Sequence, residues 1–280
     1  MLTGYAALER QAAAIAREVR RLRDDSEAPA YRTAVEMAAD LGLALDPWQR
    51  DVLTTTARDI LLLCSRQAGK TTVAALLALH HAVYEPGSLV LALSPSERQS
   101  KRLLRAIRRH YEALRSLAPA LAEGQLMLEL RNVSEIHALP GKEGTVRGFS
   151  DVDLLVIDEA ARVEDDLYAS VRPMLAVSGG QLIALSTPFG KRGFFHREWT
   201  AGGAGWHRAR VTAHDVPRIP AAWLERERAR IGDWWFQQEY LCEFVDTDDQ
   251  LYATDLVLAA VRTDLAPLAL PTFADQEQQR

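Results

Sequence analysis

Two short strings hold side chains that could do chemistry together. The first is Cys64-Ser65-Arg66-Gln67-Ala68-Gly69-Lys70-Thr71-Thr72. A glycine, a lysine and a hydroxyl in succession, between a strand and a helix, form the pattern with which a loop grips a phosphate chain. Backbone N–H groups of the loop and of the helix start converge on the phosphate oxygens. Gly69 lets the backbone approach closely, Lys70 brings a mobile ammonium to the β- and γ-phosphates, and the Thr71 hydroxyl can ligate Mg²⁺. The second string, Leu154-Leu155-Val156-Ile157-Asp158-Glu159-Ala160, is an apolar run ending in two carboxylates. At a strand end Asp158 would face Mg²⁺ through water, and Glu159 would orient and deprotonate an attacking water. Two acids closing a buried strand are costly unless charge meets them, and a metal with the loop lysine would supply it.

The loop departs from the general pattern of glycine, four residues, then Gly-Lys-Ser/Thr. Its first glycine position is Cys64, and Arg66 and Gln67 add a cation and an amide beside the phosphates. A third string, Leu185-Ser186-Thr187-Pro188, ends another apolar run. Hydroxyls at the carboxyl end of a neighbouring parallel strand lie where ligands collect in such sheets. A strand simply stopped by proline reads equally well.

These strings need elements to position them. Asp59–Cys64, Leu89–Leu93, Leu154–Ile157 and Gln181–Leu185 read as short buried strands, with helices expected at Lys70–Tyr84, about Ser96–Ser116 and Glu164–Val177. Residues 126–140, split at Arg131-Asn132, predict a β-hairpin, and Asp46-Pro47 predicts a helix start. Strands alternating with helices imply an α/β fold with a mainly parallel sheet covered on both faces. Residues 1–26 predict a polar helix and residues 27–45 a second, short one. After about residue 193 the pattern becomes mostly helical, with one strand in Trp206–Ala213 and a helix over 220–244.

Composition sets the bounds. The chain has 280 residues, 48% apolar and 25% charged, which suits a globular protein of one to one and a half domains. Two cysteines, Cys64 and Cys242, exclude a disulfide framework and a cysteine-rich zinc module. No stretch reads as a membrane span or signal peptide, so the expectation is a soluble intracellular protein. A net charge of −5 excludes a passive nucleic-acid binder acting through its overall field; contact with DNA would need a local patch. Arg98, Arg102, Arg105 and Arg109 share one face of the helix after the second strand. That face is either a phosphate-tracking patch or a solvated surface balanced by Glu97 and Glu112.

In combination these residues resemble the large terminase subunit, the DNA-packaging ATPase of tailed phages. Asp46-Pro47-Trp48-Gln49, Ser65–Thr71, Leu155–Ala160 and Leu185–Pro188 carry the likeness, in the family's order, over roughly residues 40–255. The resemblance implies a P-loop NTPase fold of the ASCE/RecA-like class. It implies a helical extension over 1–45, an ATPase core over 46–192, a lid subdomain over 193–250 and a linker or tail over 251–280. It implies ATP and Mg²⁺, with Ser65, Arg66, Gln67, Ala68, Gly69, Lys70, Thr71 and Thr72 around the phosphates and Thr71 and Asp158 on the metal. Gln49 would contact adenine, although a helix-surface glutamine reads nearly as well. Arg66 would sense the γ-phosphate, Glu159 would activate water, and Ser186, Thr187 and Pro188 would couple hydrolysis to motion.

Arg147, in Thr145-Val146-Arg147-Gly148-Phe149, matches a trans-acting arginine of some members and would join Glu159 and Lys70 in catalysis. Between Gly144 and Gly148 it could reach a neighbouring subunit or remain a solvated loop arginine. The implied partners are double-stranded DNA, a portal protein, a small terminase subunit and further copies in a ring, in the bacterial host cytoplasm and without a membrane. Family members usually continue into an RNase-H-like nuclease. Asp246, Asp248 and Asp249 read as a polar linker rather than its metal site, so no DNA cleavage is expected of this chain. The remaining alternatives are a catalytically silent nucleotide-binding or assembly remnant of a prophage and, less favoured, a helicase-type ATPase.

Overall fold

The computed structural model describes residues 30–141, 143–146, 148–246 and 254–261. The helix expected over 1–26, Arg147, Asp248, Asp249 and the polar tail lie outside the described residues. The chain divides into two units, Met1–Val245 and Asp246–Arg280; in the second, residues Thr254–Ala260 form a helix.

In the first unit two short helices, α1 (Ala34–Asp40) and α2 (Pro47–Thr54), precede β1 (Asp59–Cys64). The Thr33 hydroxyl accepts from the Glu36 N–H to cap α1, and Pro47 occupies the first turn of α2 behind Asp46. Then follow α3 (Lys70–Tyr84), β2 (Leu89–Ser94), α4 (Glu97–Tyr111), β3 (Ala120–Glu123), β4 (Met127–Leu130), β5 (Glu135–Pro140), α5 (Glu143–Val146) and β6 (Leu154–Asp158). The chain continues with α6 (Asp165–Val171), β7 (Gln181–Ser186), α7 (Gly193–Ala201), β8 (Trp206–Val211), α8 (Ala221–Ile231) and α9 (Asp233–Glu239).

All eight strands join one sheet in the order β3-β4-β5-β2-β6-β7-β1-β8. Strands β5 to β8 along that order pair parallel; β4 is antiparallel to both β3 and β5, which makes the expected hairpin. The central strands are buried on both faces, as parallel strands under helices must be. On one face Ile60, Leu62, Val90, Val156 and Ile183 pack with Met37, Val52, Val73, Leu76 and Leu103 of helices α1–α4. On the other, Leu61, Leu63, Leu91, Leu155 and Leu182 pack with Leu167, Val171, Phe194 and Phe195 of α6 and α7. Each such side chain contributes about 1.5–3 kcal/mol on leaving water.

The sheet continues past residue 193. Phe194 and Phe195 of α7 are fully buried in the second core, and β8 pairs along β1 from Asp59↔Trp206 to Cys64↔Val211. A separate small cluster of Ala213, Leu224, Phe236 and Tyr240 forms only beyond β8. The single helix expected over 220–244 is two, broken at Gly232, whose φ of 82° no helix accommodates.

Candidate nucleotide site

Between β1 and α3 the chain makes a tight turn in which Gln67 (φ 61°) and Gly69 (φ 99°) both adopt left-handed backbone conformations. Such alternation turns successive N–H groups to one side. Two N–H groups at the start of the loop are already used. Ser65 N–H donates to the Val211 carbonyl (2.8 Å) and Arg66 N–H to the Glu239 carbonyl (3.0 Å). Among the described residues, the N–H groups of Gln67, Ala68, Gly69, Lys70 and Thr71 meet no protein acceptor. Five consecutive free donors at the start of a fifteen-residue helix make a cradle that can hold an anion. Cys64, at the position usually given to glycine, is buried, and burial pushes its thiol up to about 12. It packs as an apolar side chain and offers no thiolate.

The acid pair lies at the same end of the sheet. Lys70 Nζ is 3.4 Å from Glu159 Oε1. Asp158 closes β6, 8% exposed, and accepts from the Glu159 N–H at Oδ1 (3.1 Å). Burial, then the Glu159 charge, pushes the Asp158 carboxyl up to about 6, opposed by Lys70 and Arg102. Such a carboxylate gains from a nearby cation, and Thr71 and Asp158 have the oxygen chemistry that suits Mg²⁺. Glu159 itself has φ 54°, a conformation costing on the order of 1–3 kcal/mol in a non-glycine residue. That turn directs its side chain toward Lys70 while Ala160 stays in the core.

Gln49 is not a surface residue. It is 4% exposed, and its Oε1 accepts from the Asp46 N–H (2.9 Å). Its Nε2 lies 2.8 Å from where a Cβ on Gly69 would be, so a side chain there would have to displace it, and the Gly69 φ of 99° strains any non-glycine residue. Arg66 Nε donates to Glu239 Oε2 (2.5 Å) at the end of α9, and its guanidinium also feels the Glu159 charge. Ser186 and Thr187 are buried at the end of β7, with Ser186 beside Leu63 of β1 in register. The Ser186 hydroxyl has no partner among the described residues.

Just after β5, Gly141 N–H donates to the Ser94 carbonyl (2.7 Å); Arg147 itself lies outside the described residues. Arg98, Arg102, Arg105 and Arg109 are all exposed on α4. The acids meant to balance them are engaged elsewhere: Glu97 pairs with Lys101 (2.6 Å) and Glu112 with Arg115 (2.7 Å). Arg108 instead turns inward and donates to the Met127 carbonyl (2.9 Å).

Sequence reasoning missed Arg218, Glu239 and Ser94. Arg218 donates to both Asp46 carboxylate oxygens and to the Ala68 carbonyl. Ser94 ends β2 beside β6 on the sheet, and its buried hydroxyl is also unpartnered among the described residues. None of the three sits in a motif, and each acquires its neighbours only when distant strands assemble.

Similarity to known proteins points to one family. The family model described as "Terminase large subunit, T4likevirus-type, N-terminal" matches residues 61–258. The chain belongs to the terminase large subunit family. The terminase large subunit of Thermus virus P23-45 is 24% identical over 235 residues, covering 71% of this chain and 48% of that protein. That of Thermus phage G20c is 23% identical over 235 residues with the same coverage. The chain thus spans about half the length of the curated terminases it matches. The ATPase domain of the Thermus phage P74-26 large terminase superposes with a TM-score of 0.67 at 22% identity, covering 77% of this chain and 100% of that domain. The large terminase of a thermophilic bacteriophage, in complex with ADP, gives 0.61 at 15% identity, covering 72% of this chain and 54% of its own. These terminase structures share the fold: a mixed α/β core with an eight-stranded, mostly parallel sheet.

Proposed function

We propose that this chain hydrolyses ATP and that hydrolysis drives double-stranded DNA into a viral capsid. The observation that carries the reading is the meeting of five unpaired loop N–H groups, Lys70 and the Asp158–Glu159 pair at one end of the sheet. In this reading the loop amides and Lys70 hold the β- and γ-phosphates, and Gln49 lies toward the base. Mg²⁺, held by Thr71 and through water by Asp158, would neutralise charge on the phosphate oxygens. Glu159 takes a proton from the water that attacks the γ-phosphorus, a role worth about 10²–10⁴ in rate. Arg147 from an adjacent copy completes the site, adding up to about 10³–10⁵.

Ser186, Thr187 and Pro188 carry the change at the γ-phosphate toward β1, and the small cluster beyond β8 moves as the lid. The arginines of α4 track DNA phosphates. Copies form a ring that works with a portal protein and a small terminase subunit in the host cytoplasm. No helix among the described residues is long and apolar enough to cross a membrane.

ATP turnover of the purified chain against Glu159→Gln tests the reading, with and without duplex DNA. Turnover that is DNA-stimulated and lost in the variant is expected. Equal, negligible rates for both at high protein concentration would favour a silent assembly protein instead.

A further inference from the structure

Arg218 lies in the segment between β8 and α8, far in sequence from the phosphate loop, yet its guanidinium joins the loop to the helix before it. Nη1 donates to both oxygens of Asp46 (2.9 and 2.7 Å). Nη2 donates to the Ala68 carbonyl (3.1 Å). We propose that Arg218 is a positioning residue for nucleotide binding: it fixes the outer side of the phosphate loop and the N-terminal end of α2 in one piece. The proposal rests on the reading of Ser65–Thr72 as a phosphate loop.

The argument starts from backbone geometry. A loop that turns its N–H groups inward must turn carbonyls outward, and an outward carbonyl needs a donor. For Ala68 that donor is Arg218. The second half of the clamp is Asp46, whose side chain is only 11% exposed. Its N–H is bonded to Gln49 Oε1, so the guanidinium, Asp46 and Gln49 form one continuous chain. That chain closes on Gly69, where a Cβ would sit 2.8 Å from Gln49 Nε2 and 3.5 Å from Arg218 Nη2.

Charge adds a second contribution. Without Arg218, Asp46 would present an uncompensated carboxylate beside a loop built to receive a polyanion. A planar guanidinium serves two acceptors at once in fixed geometry; a lysine ammonium on a flexible stem cannot do so equally well.

Binding of a fluorescent ATP analogue and steady-state hydrolysis, measured side by side, test this. Arg218→Ala is expected to weaken nucleotide binding and raise KM by about 10- to 100-fold, with kcat changed by less than about threefold. Arg218→Lys should recover part of the loss. Adding Asp46→Asn to Arg218→Ala should also recover part, because the unpaired carboxylate is gone. Hydrogen exchange of the peptide spanning 64–70 should quicken in Arg218→Ala without nucleotide. Unchanged affinity, or a fall in kcat with KM constant, overturns the proposal. Where Arg218→Ala does not fold, the same KM-against-kcat comparison on Arg218→Lys decides. Lys70→Ala separates the two levels. If it loses binding while Arg218→Ala keeps it, only the Arg218 proposal fails; if Lys70→Ala binds like wild type, the phosphate-loop reading fails and takes the proposal with it.

Discussion

Lys70 Nζ and Glu159 Oε1 are 3.4 Å apart, so the loop cation and the proposed base neutralise each other across the mouth of the site. On the proposed reading, a γ-phosphate entering between them would compete with Glu159 for Lys70 and release the carboxylate to hold water. The prediction is a split between affinity and rate. Glu159→Gln removes the competing charge and should bind a fluorescent ATP analogue as tightly as wild type or more so. Its single-turnover hydrolysis should fall by about 10²–10⁴. Weaker binding in the variant would count against this exchange of partners.

Gly69 tests the shape of the cradle. Its φ of 99° strains any non-glycine residue, and a methyl group would have to push Gln49 Nε2 aside. Gly69→Ala should reduce nucleotide affinity at least about tenfold, roughly the effect of losing one charge-assisted hydrogen bond, while the thermal midpoint moves by only a few degrees. A variant with wild-type binding, read by isothermal titration, would show that the loop conformation is not required.

The Arg66–Glu239 pair predicts an asymmetry. Glu239 is 7% exposed at its side chain and Arg66 59%, so removing the arginine strands a nearly buried carboxylate, whereas removing the carboxylate leaves a cation that water reaches. Arg66→Ala should therefore destabilise by more than Glu239→Gln, with the former costing about 1–3 kcal/mol. Urea denaturation of the two variants at neutral pH gives the comparison, and a larger loss in Glu239→Gln would refute it.

Much of this site is legible in the sequence because its chemistry is local. The loop, the Asp158–Glu159 strand end and Ser186-Thr187-Pro188 each occupy a few consecutive residues at the end of an apolar run. A parallel sheet brings such ends to one edge without further instruction. What was not legible depends on packing. Arg218 and Glu239 sit in ordinary polar segments, and only assembly of β8 beside β1 carries them to the loop. Strand β3 is four residues on the sheet edge with alternating exposure, too short to stand out. Gly232 did signal the break between α8 and α9, but apolar residues on both sides continue a helical period across it.

His80 sets a pH dependence on the helical side. Its Nε2 lies 2.7 Å from the Arg32 carbonyl, and its ring contacts Tyr31 and Tyr84. Burial lowers its pKa below the usual histidine value. Below about pH 6.5 the unfolded chain then binds more protons than the folded one, so this contribution to stability is present above that range and lost as pH falls through it. In His80→Phe the loss between neutral pH and about pH 5 should be smaller than in wild type, measured as the difference in unfolding free energy. Parallel curves would exclude His80 as the source.

The four exposed arginines of α4 predict a salt signature. Replacing Arg98, Arg102, Arg105 and Arg109 by alanine should weaken duplex DNA binding equally for unrelated sequences. The slope of log affinity against log salt should fall by about 0.9 for each phosphate contact removed. Fluorescence anisotropy over a range of salt concentrations measures it, and an unchanged slope would assign DNA contact to another surface.

The first two amides of the phosphate loop are hydrogen-bonded to Val211 and Glu239, one on the last strand and one at the end of the last helix before residue 245. On the proposed reading, tension on that C-terminal stretch would pass through these two hydrogen bonds into the loop that holds the nucleotide. In a packaging engine of that kind, resisting load and retaining spent ADP would be two readings of one mechanical coordinate, and a stalled complex should give up its product slowly.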